Sequence, residues 1–323
     1  MFRSAYPQGI DHFSRLRAST FSSEPSDFMA KKSQRVILVT GATGKQGSAV
    51  LHHLQKRGFS VRILTRDAEK PAARALTGRG MEVLQGNLDD PASLTHALEG
   101  AYGVYSVQIA THGGEAEIRQ GINLADAANR SGVSHIVYSS VGSADQNTGI
   151  PHFDSKFKIE EHLRSTGIRY TIFRPVFFME NWLGSKKQIE EGILAQPLNP
   201  DTHLQMIAVD DIGAFVAMAF EHPGQWERRA MDIAGDELSM TGIAEAFSRS
   251  VGREVRYHQV PWDTFEERAG REMTVMYRWF QETGYHVDIG AVRQALPSLT
   301  SFDRWLNTTW QTAPSEQGRR ANA

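Results

Sequence analysis

Hydrophobic and polar positions along the chain alternate between short apolar runs and amphipathic stretches. Residues 36–40, 103–109 and 135–140 contain no Asp, Glu, Lys or Arg. An apolar run without polar alternation suits a strand buried on both faces of a parallel sheet. Residues 60–65, 81–84 and 170–174, rich in β-prone side chains, predict three further strands. Between them the period changes. Residues 48–56 place Val50, Leu51 and Leu54 on one stripe, and residues 115–130 offer Ile118, Ile122, Leu124, Ala125 and Ala128 as a buried side. Another helix opens at Pro151 and runs through Ile159 and Leu163, while Asp90 before Pro91 reads as an N-cap followed by proline at the first helical position. Strands alternating with helices over short links predict an α/β fold with a doubly wound parallel sheet.

The pattern after residue 175 is less regular. Residues 206–213 read as a strand running into a helix, with Asp210 or Asp211 as its N-cap. A strand and turn follow at 231–235, and Ser239 or Thr241 is placed to cap the next helix. Residues 256–260 precede Pro261, and residues 271–285 form an aromatic helix with Met273, Met276, Tyr277, Trp279 and Phe280, expected to cover a substrate cleft. These features divide the chain into a nucleotide-binding region over 34–175 and a smaller α/β substrate or lid region over 176–312, interleaved with the first. Residues 1–33, rich in serine and arginine, read as a disordered extension or an over-extended start before Met29, and residues 313–323 as a frayed tail.

Composition narrows the chemistry. With 35 basic against 37 acidic residues, nothing points to a polyanion-binding surface, so direct nucleic-acid binding is not expected. The absence of cysteine excludes disulfides, thiolate metal sites and cysteine nucleophiles. No metal-ligand cluster stands out, and His52-His53 reads as an exposed helix pair. No run is long and apolar enough to span a bilayer, and the expected location is cytoplasmic.

The first β–α turn carries the strongest motif. Gly41-Ala42-Thr43-Gly44-Lys45-Gln46-Gly47 spaces three glycines by three after a strand and before a helix. Glycine allows a tight turn and the approach of a pyrophosphate, and the helix N-terminus offers unpaired N–H groups with partial positive charge. That order predicts a Rossmann-type dinucleotide site. Cofactor choice is read at the end of the second strand, where Arg66 matches the 2′-phosphate of NADP and Lys70 adds a second positive charge, although Asp67 follows. Asn87 and Leu88, after the third strand, are candidates for the adenine side, and Gln108 ends the fourth strand near the nicotinamide half.

The helix at 151 is where the chemistry is expected. Lys156 stands where short-chain dehydrogenases keep a ribose-binding lysine, and Ser139 or Ser140 holds the serine place. The tyrosine place is taken by His152, four residues before Lys156 and therefore on the same helix face. Phe178 and Asn181, following the sixth strand, are candidate lining for the nicotinamide and substrate pocket.

Together with Thr65-Arg66-Asp67, Gly86-Asn87-Leu88-Asp89-Asp90, His152-Phe153-Asp154-Ser155-Lys156 and Arg174-Pro175 through Glu180-Asn181, the glycine motif resembles the NmrA-like family of atypical short-chain dehydrogenases. The likeness extends especially to its NADPH-sensor branch and to related NAD(P)H:quinone reductases. It implies that Gly41, Thr43, Gly44, Lys45, Gln46 and Gly47 hold the pyrophosphate and Arg66 the 2′-phosphate. It further implies that Lys156 holds the nicotinamide ribose and that the stretch from Phe178 to Asn181 closes over the nicotinamide. Two functions follow from the resemblance. One is an oxidoreductase passing hydride from NADPH to a quinone or other conjugated carbonyl, with His152 or water supplying the proton. The other is a non-catalytic NADP(H) redox sensor that acts on a protein partner. The implied partners are accordingly a small-molecule acceptor or a regulated protein, with a homodimer as the possible assembly.

Overall fold

The computed structural model describes residues 35–109 and 114–313. The expected extension over 1–33 and the tail beyond 313 lie outside the described residues. The six predicted runs form β1 (Val36–Val39), β2 (Ser60–Thr65), β3 (Glu82–Gln85), β4 (Gly103–Ser106), β5 (His135–Ser139) and β6 (Tyr170–Pro175). Later strands are β7 (Phe177–Phe178), β8 (Ile193–Gln196), β9 (His203–Ile207), β10 (Arg229–Ile233), β11 (Asp236–Ser239) and β12 (Arg256–Gln259). The central sheet runs β3-β2-β1-β4-β5-β6-β10, with every neighbouring pair parallel. From β1 the chain builds outward to β3, then returns to place β4 on the other side. The reversal between β1 and β4 opens a crevice at the carboxyl ends of the strands, the binding position of doubly wound sheets.

The principal helices are α1 (Lys45–Lys56), α2 (Pro71–Gly78), α3 (Pro91–Leu98), α4 (Gly114–Arg130), α5 (Pro151–Ser165), α6 (Val209–Glu221), α7 (Met240–Val251), α8 (Trp262–Ala269) and α9 (Arg271–Glu282). Successive strand residues point to opposite faces and feed two cores. Ile37, Val39, Tyr105, Val137 and Phe173 pack under α1 and α6, through Val50, Leu54, Ile212 and Phe215. Leu38, Val104, Ile136, Tyr138 and Ile172 face the other way, against Leu124 and Ala128 of α4 and Ile159 and Leu163 of α5. Burial on both faces is the physical reason that the strands read as uninterrupted apolar runs. Asp90 caps α3 through its bond to the Ala92 N–H, and Ser239 caps α7 through Gly242. Two small sheets, β11-β9-β7 and β12-β8, lie outside the main one.

Some local expectations are corrected. Neither Asp210 nor Asp211 is the N-cap of α6; that position is Ala208. The first N–H, of Val209, donates instead to Glu180 Oε2 at 3.0 Å. Both aspartates sit in the first turn, where Asp210 bonds His53 at 2.9 Å and Asp211 accepts from the Thr300 N–H at 2.9 Å and hydroxyl at 3.0 Å. His53 is therefore half-buried and paired rather than half of an exposed pair. In α4, Glu117 and Gly121 take interior places while Ile118 and Ile122 are only half-buried. Thr241 does not cap α7, and its hydroxyl donates to the Pro200 carbonyl. The aromatic helix stops at Glu282, ahead of Gly284 at φ 72°.

Candidate functional site

The crevice is a cleft of about 280 Å³ lined by residues 40–44, 63–67, 86–88 and 107–109 with Lys70 and Gln120. Thr40 fixes its floor. Its hydroxyl donates to the carbonyls of Tyr105 and Val107, both at 3.2 Å, and accepts from the Val107 N–H at 3.0 Å. The ends of β1 and β4 are thereby tied together on either side of the topological reversal.

Two of the three loop glycines are dictated by geometry. Gly41 has φ 63°, the left-handed region that side chains disfavour, and a Cβ there would lie 2.8 Å from Val107 Cγ1. A Cβ on Gly47 would lie 2.1 Å from the Gly41 carbonyl oxygen, so glycine alone lets α1 close onto its own loop. Gly44 is the N-cap of α1 and has no side chain to accept the first N–H groups. The first turn of α1 thus presents the N–H groups of Gln46 and Gly47 at the positive end of the helix dipole, where a helix has no carbonyls of its own to accept them. This arrangement can hold an anion without a further cation.

The remaining loop residues are anchors. Gln46 Oε1 accepts from the Ser139 hydroxyl at 2.5 Å and the Tyr105 hydroxyl at 3.1 Å, so the predicted serine holds the glycine loop. Burial pushes the Tyr105 phenol upward, which keeps it neutral as a donor. Lys45 Nζ reaches across to the Glu180 carbonyl at 3.4 Å and Asn181 Oδ1 at 3.3 Å. Lys45 therefore joins the N-terminus of α1 to the segment carrying Asn181, while half-buried Phe178 and exposed Asn181 lie outside the lining of the cleft itself.

Arg66 and Lys70 line the cleft together and are exposed, and their guanidinium and ammonium groups have no hydrogen-bond or ion-pair partner among the described residues. Asp67, in contrast, turns its carboxylate to its own loop, where Oδ1 accepts from the Glu69 N–H at 2.9 Å. Asn87 likewise serves its turn, accepting from the Asp89 N–H at 3.1 Å, and Leu88 is pinned by its carbonyl to Asn123 at 3.0 Å. Gln120 also reaches the cleft, from α4, and is held there by Asp89 at 2.8 Å. That contact was not legible in the local pattern, because it joins two loops' worth of chain to one helix.

His152 and Lys156 occupy one face of α5 but are drawn to different carboxylates. His152 Nδ1 lies 2.7 Å from Glu272 Oε1 of α9, and its ring meets Phe153 edge-on at 4.9 Å. Lys156 Nζ donates to Glu117 Oε1 at 2.7 Å and to the Gln108 carbonyl at 3.3 Å. Through Gln108, which lines the cleft, Lys156 stands at the end of β4, although neither Lys156 nor His152 is itself part of the lining. Gln108 folds its amide back onto Ser106 at 2.9 Å. Tyr138 comes from the strand beside this layer, yet it is wholly buried and its phenol is pushed well up by burial and by the carboxylates of Glu117 and Glu160. A sealed phenol of that kind cannot take the place of the missing tyrosine at a substrate.

Sequence comparison agrees with this architecture. The model of the NmrA-like family matches residues 33–306. The chain belongs to the NmrA-like family. It is similar to the NmrA-like family domain-containing oxidoreductase lnaB of Aspergillus flavus, 29% identical over 287 residues that cover 78% of this chain and 85% of that protein. An NAD(P)H azoreductase of Xenophilus azovorans is 32% identical over 288 residues, covering 88% of this chain and 94% of the azoreductase. Among solved structures, the NADPH-dependent quinone oxidoreductase of Escherichia coli, complexed with NADPH, superposes with a TM-score of 0.73 at 25% identity, covering 85% of this chain and 99% of that one. The seven-stranded parallel sheet with flanking helices is the family's Rossmann-like α/β fold.

Proposed function

We propose that this NmrA-like protein is an NADP(H)-dependent oxidoreductase that reduces a planar conjugated acceptor such as a quinone. The carrying observation is the pair Arg66 and Lys70, which line the cleft beside the glycine loop with their charged side-chain groups unpartnered among the described residues, while Asp67 is spent on its own turn. A guanidinium fork beside an ammonium suits a 2′-phosphate and gives a cofactor without that group nothing to bind. The N–H groups at the start of α1 would hold the pyrophosphate, with Gln46 and Lys45 fixing the loop from either side. Lys156 would hold the nicotinamide ribose from the end of β4.

When bound, NADPH supplies the hydride. The chain's part is to orient the acceptor, exclude water and provide for one proton. A quinone makes modest demands on a proton donor, because its reduced oxygen is a stabilised phenolate. A histidine in the tyrosine place, or water, therefore suffices. The likeness to an azoreductase and a quinone oxidoreductase supports this class of acceptor.

One observation favours the sensor reading: His152, on the same helix face as Lys156, has its Nδ1 engaged by Glu272. The discriminating experiment is NADPH oxidation by purified protein across a panel of quinones, azo dyes and enones. Turnover that disappears in Lys156→Ala supports the reductase. Tight NADPH binding with no turnover on any acceptor refutes it in favour of the sensor.

A further inference from the structure

Glu117 is fully buried, and both of its oxygens are used by α5. Oε1 takes the Lys156 ammonium at 2.7 Å and Oε2 takes the Ser155 hydroxyl in a short bond. The contact depends on how closely the two helices pack. Gly121, one turn after Glu117, leaves room for Ile159, one turn after Ser155; a Cβ on Gly121 would lie 2.5 Å from Ile159 Cδ1. At Gly114, by contrast, an added Cβ would meet the Ser155 Cβ at 3.4 Å, an ordinary contact. Gly121 thus lets α4 lie close against α5, which sets the Glu117 carboxylate beside the lysine.

An ammonium has three N–H donors. Glu117 and the Gln108 carbonyl take two of the Lys156 donors, on the side of the helix interface and the β4 end respectively. The third has no partner among the described residues, and the Lys156 side chain retains 14% exposure while Glu117 has none. A lysine on a flexible four-carbon stem is otherwise free to sweep a wide volume. Here two fixed acceptors reduce it to one position with one remaining donor.

We propose that Glu117 is the positioning residue for Lys156, holding its charged ammonium at the end of β4 so that one N–H is presented to a hydroxyl of the bound dinucleotide, with Ser155 fixing the carboxylate in turn. This inference rests on the proposal that Lys156 binds the nicotinamide ribose. Its consequence is that affinity for the nicotinamide half of the cofactor depends on a carboxylate that never touches it.

The test compares NADPH with 2′,5′-ADP, which carries the 2′-phosphate but lacks the nicotinamide ribose. Binding of each is titrated to the wild type, Glu117→Gln, Glu117→Asp, Lys156→Met and the Glu117→Gln/Lys156→Met double variant. Loss of one charge-assisted contact predicts roughly ten-fold weaker NADPH binding in Glu117→Gln, with 2′,5′-ADP unchanged. The double variant is expected to be no weaker than Lys156→Met alone, because the two residues act as one unit. Glu117→Asp, which keeps the charge but withdraws it by one methylene, should give a smaller loss of the same kind and serves if the glutamine variant does not fold. Equal losses for NADPH and 2′,5′-ADP, additive losses in the double variant, or unchanged NADPH binding in Glu117→Gln and Glu117→Asp while Lys156→Met is impaired would each overturn the role of Glu117. Unchanged NADPH binding in Lys156→Met would instead overturn the lysine assignment beneath it.

Discussion

Gly47→Ala adds a single methyl group at the most confined point of the glycine loop. The new Cβ would stand 2.1 Å from the Gly41 carbonyl oxygen, 2.5 Å from its carbon and 2.7 Å from Ala42 Cα. All three are backbone atoms, so no side chain can swing aside. Ordinary contact begins near 3.4 Å, and the first turn of α1 must therefore part from the loop by roughly 1 Å. Overpacking on that scale costs about 1–3 kcal/mol, several degrees in Tm. Binding should suffer on a similar scale, because the displaced atoms are the N–H groups proposed to hold the pyrophosphate. A misplacement of about 1 Å in a positioning group costs on the order of a hundred-fold. Gly44→Ala is the internal control: its φ is −89° and the nearest heavy atom to its Cβ is the Gly41 oxygen at 3.2 Å, which needs to yield only slightly. Thermal unfolding and NADPH titration of both variants give the comparison. A Gly47→Ala protein with the wild-type Tm and undiminished NADPH affinity would refute the geometric reasoning, as would equal damage from both alanines.

Three further predictions follow from other parts of the molecule. Arg66→Ala should weaken NADPH binding by roughly ten- to a hundred-fold and leave NADH binding nearly unchanged, and equal losses for the two would remove the 2′-phosphate assignment. Arg174→Met should cost about 3 kcal/mol in urea unfolding, because Arg174 bonds buried Glu160 at 2.9 and 2.7 Å and its removal leaves that carboxylate inside with only Arg164; an unchanged urea midpoint would show the network to be dispensable. Asp211 has its pKa raised, chiefly by burial, so the stability it contributes is full below the unfolded aspartate value and is lost as pH rises through the folded one. Asp211→Asn does not titrate, and it keeps the Thr300 N–H bond with its Oδ1 while its Nδ2 can donate to the Thr300 hydroxyl, so the variant should gain on the wild type as pH rises from acid to neutral; a stability difference that does not change with pH would contradict this.

Much of the nucleotide-binding half was legible because its determinants are local. A doubly buried strand writes itself as an apolar run, the tight β1–α1 turn as spaced glycines, and the α3 cap as Asp90-Pro91, all within a few residues. The determinants that escaped act at a distance. The first N–H of α6 is satisfied by Glu180, so the helix starts before the aspartates that resemble its cap. Glu272 reaches His152 from the far side of the chain, and Glu117 reaches Lys156 from the preceding helix. Periodicity assigns a glutamate to the polar face of its own helix and is blind to a partner on another. A signal for Glu117 did exist, in Gly121, which shares its face and marks a close helix contact.

The last strand of the central sheet has a consequence for how the chain folds as it is made. β10 pairs along β6, yet the β7, β8 and β9 segments and helix α6 are synthesised between them. Until Arg229–Ile233 has left the ribosome, β6 presents an open hydrogen-bonding edge that another chain can occupy. The nucleotide-binding half therefore cannot finish folding in the order of its synthesis, and completion waits on a long-range closure of the slow kind. A chain cut after β6 would keep every residue of the glycine loop and still expose that edge, making it a substrate for chaperones and aggregation before it is a binder of dinucleotide.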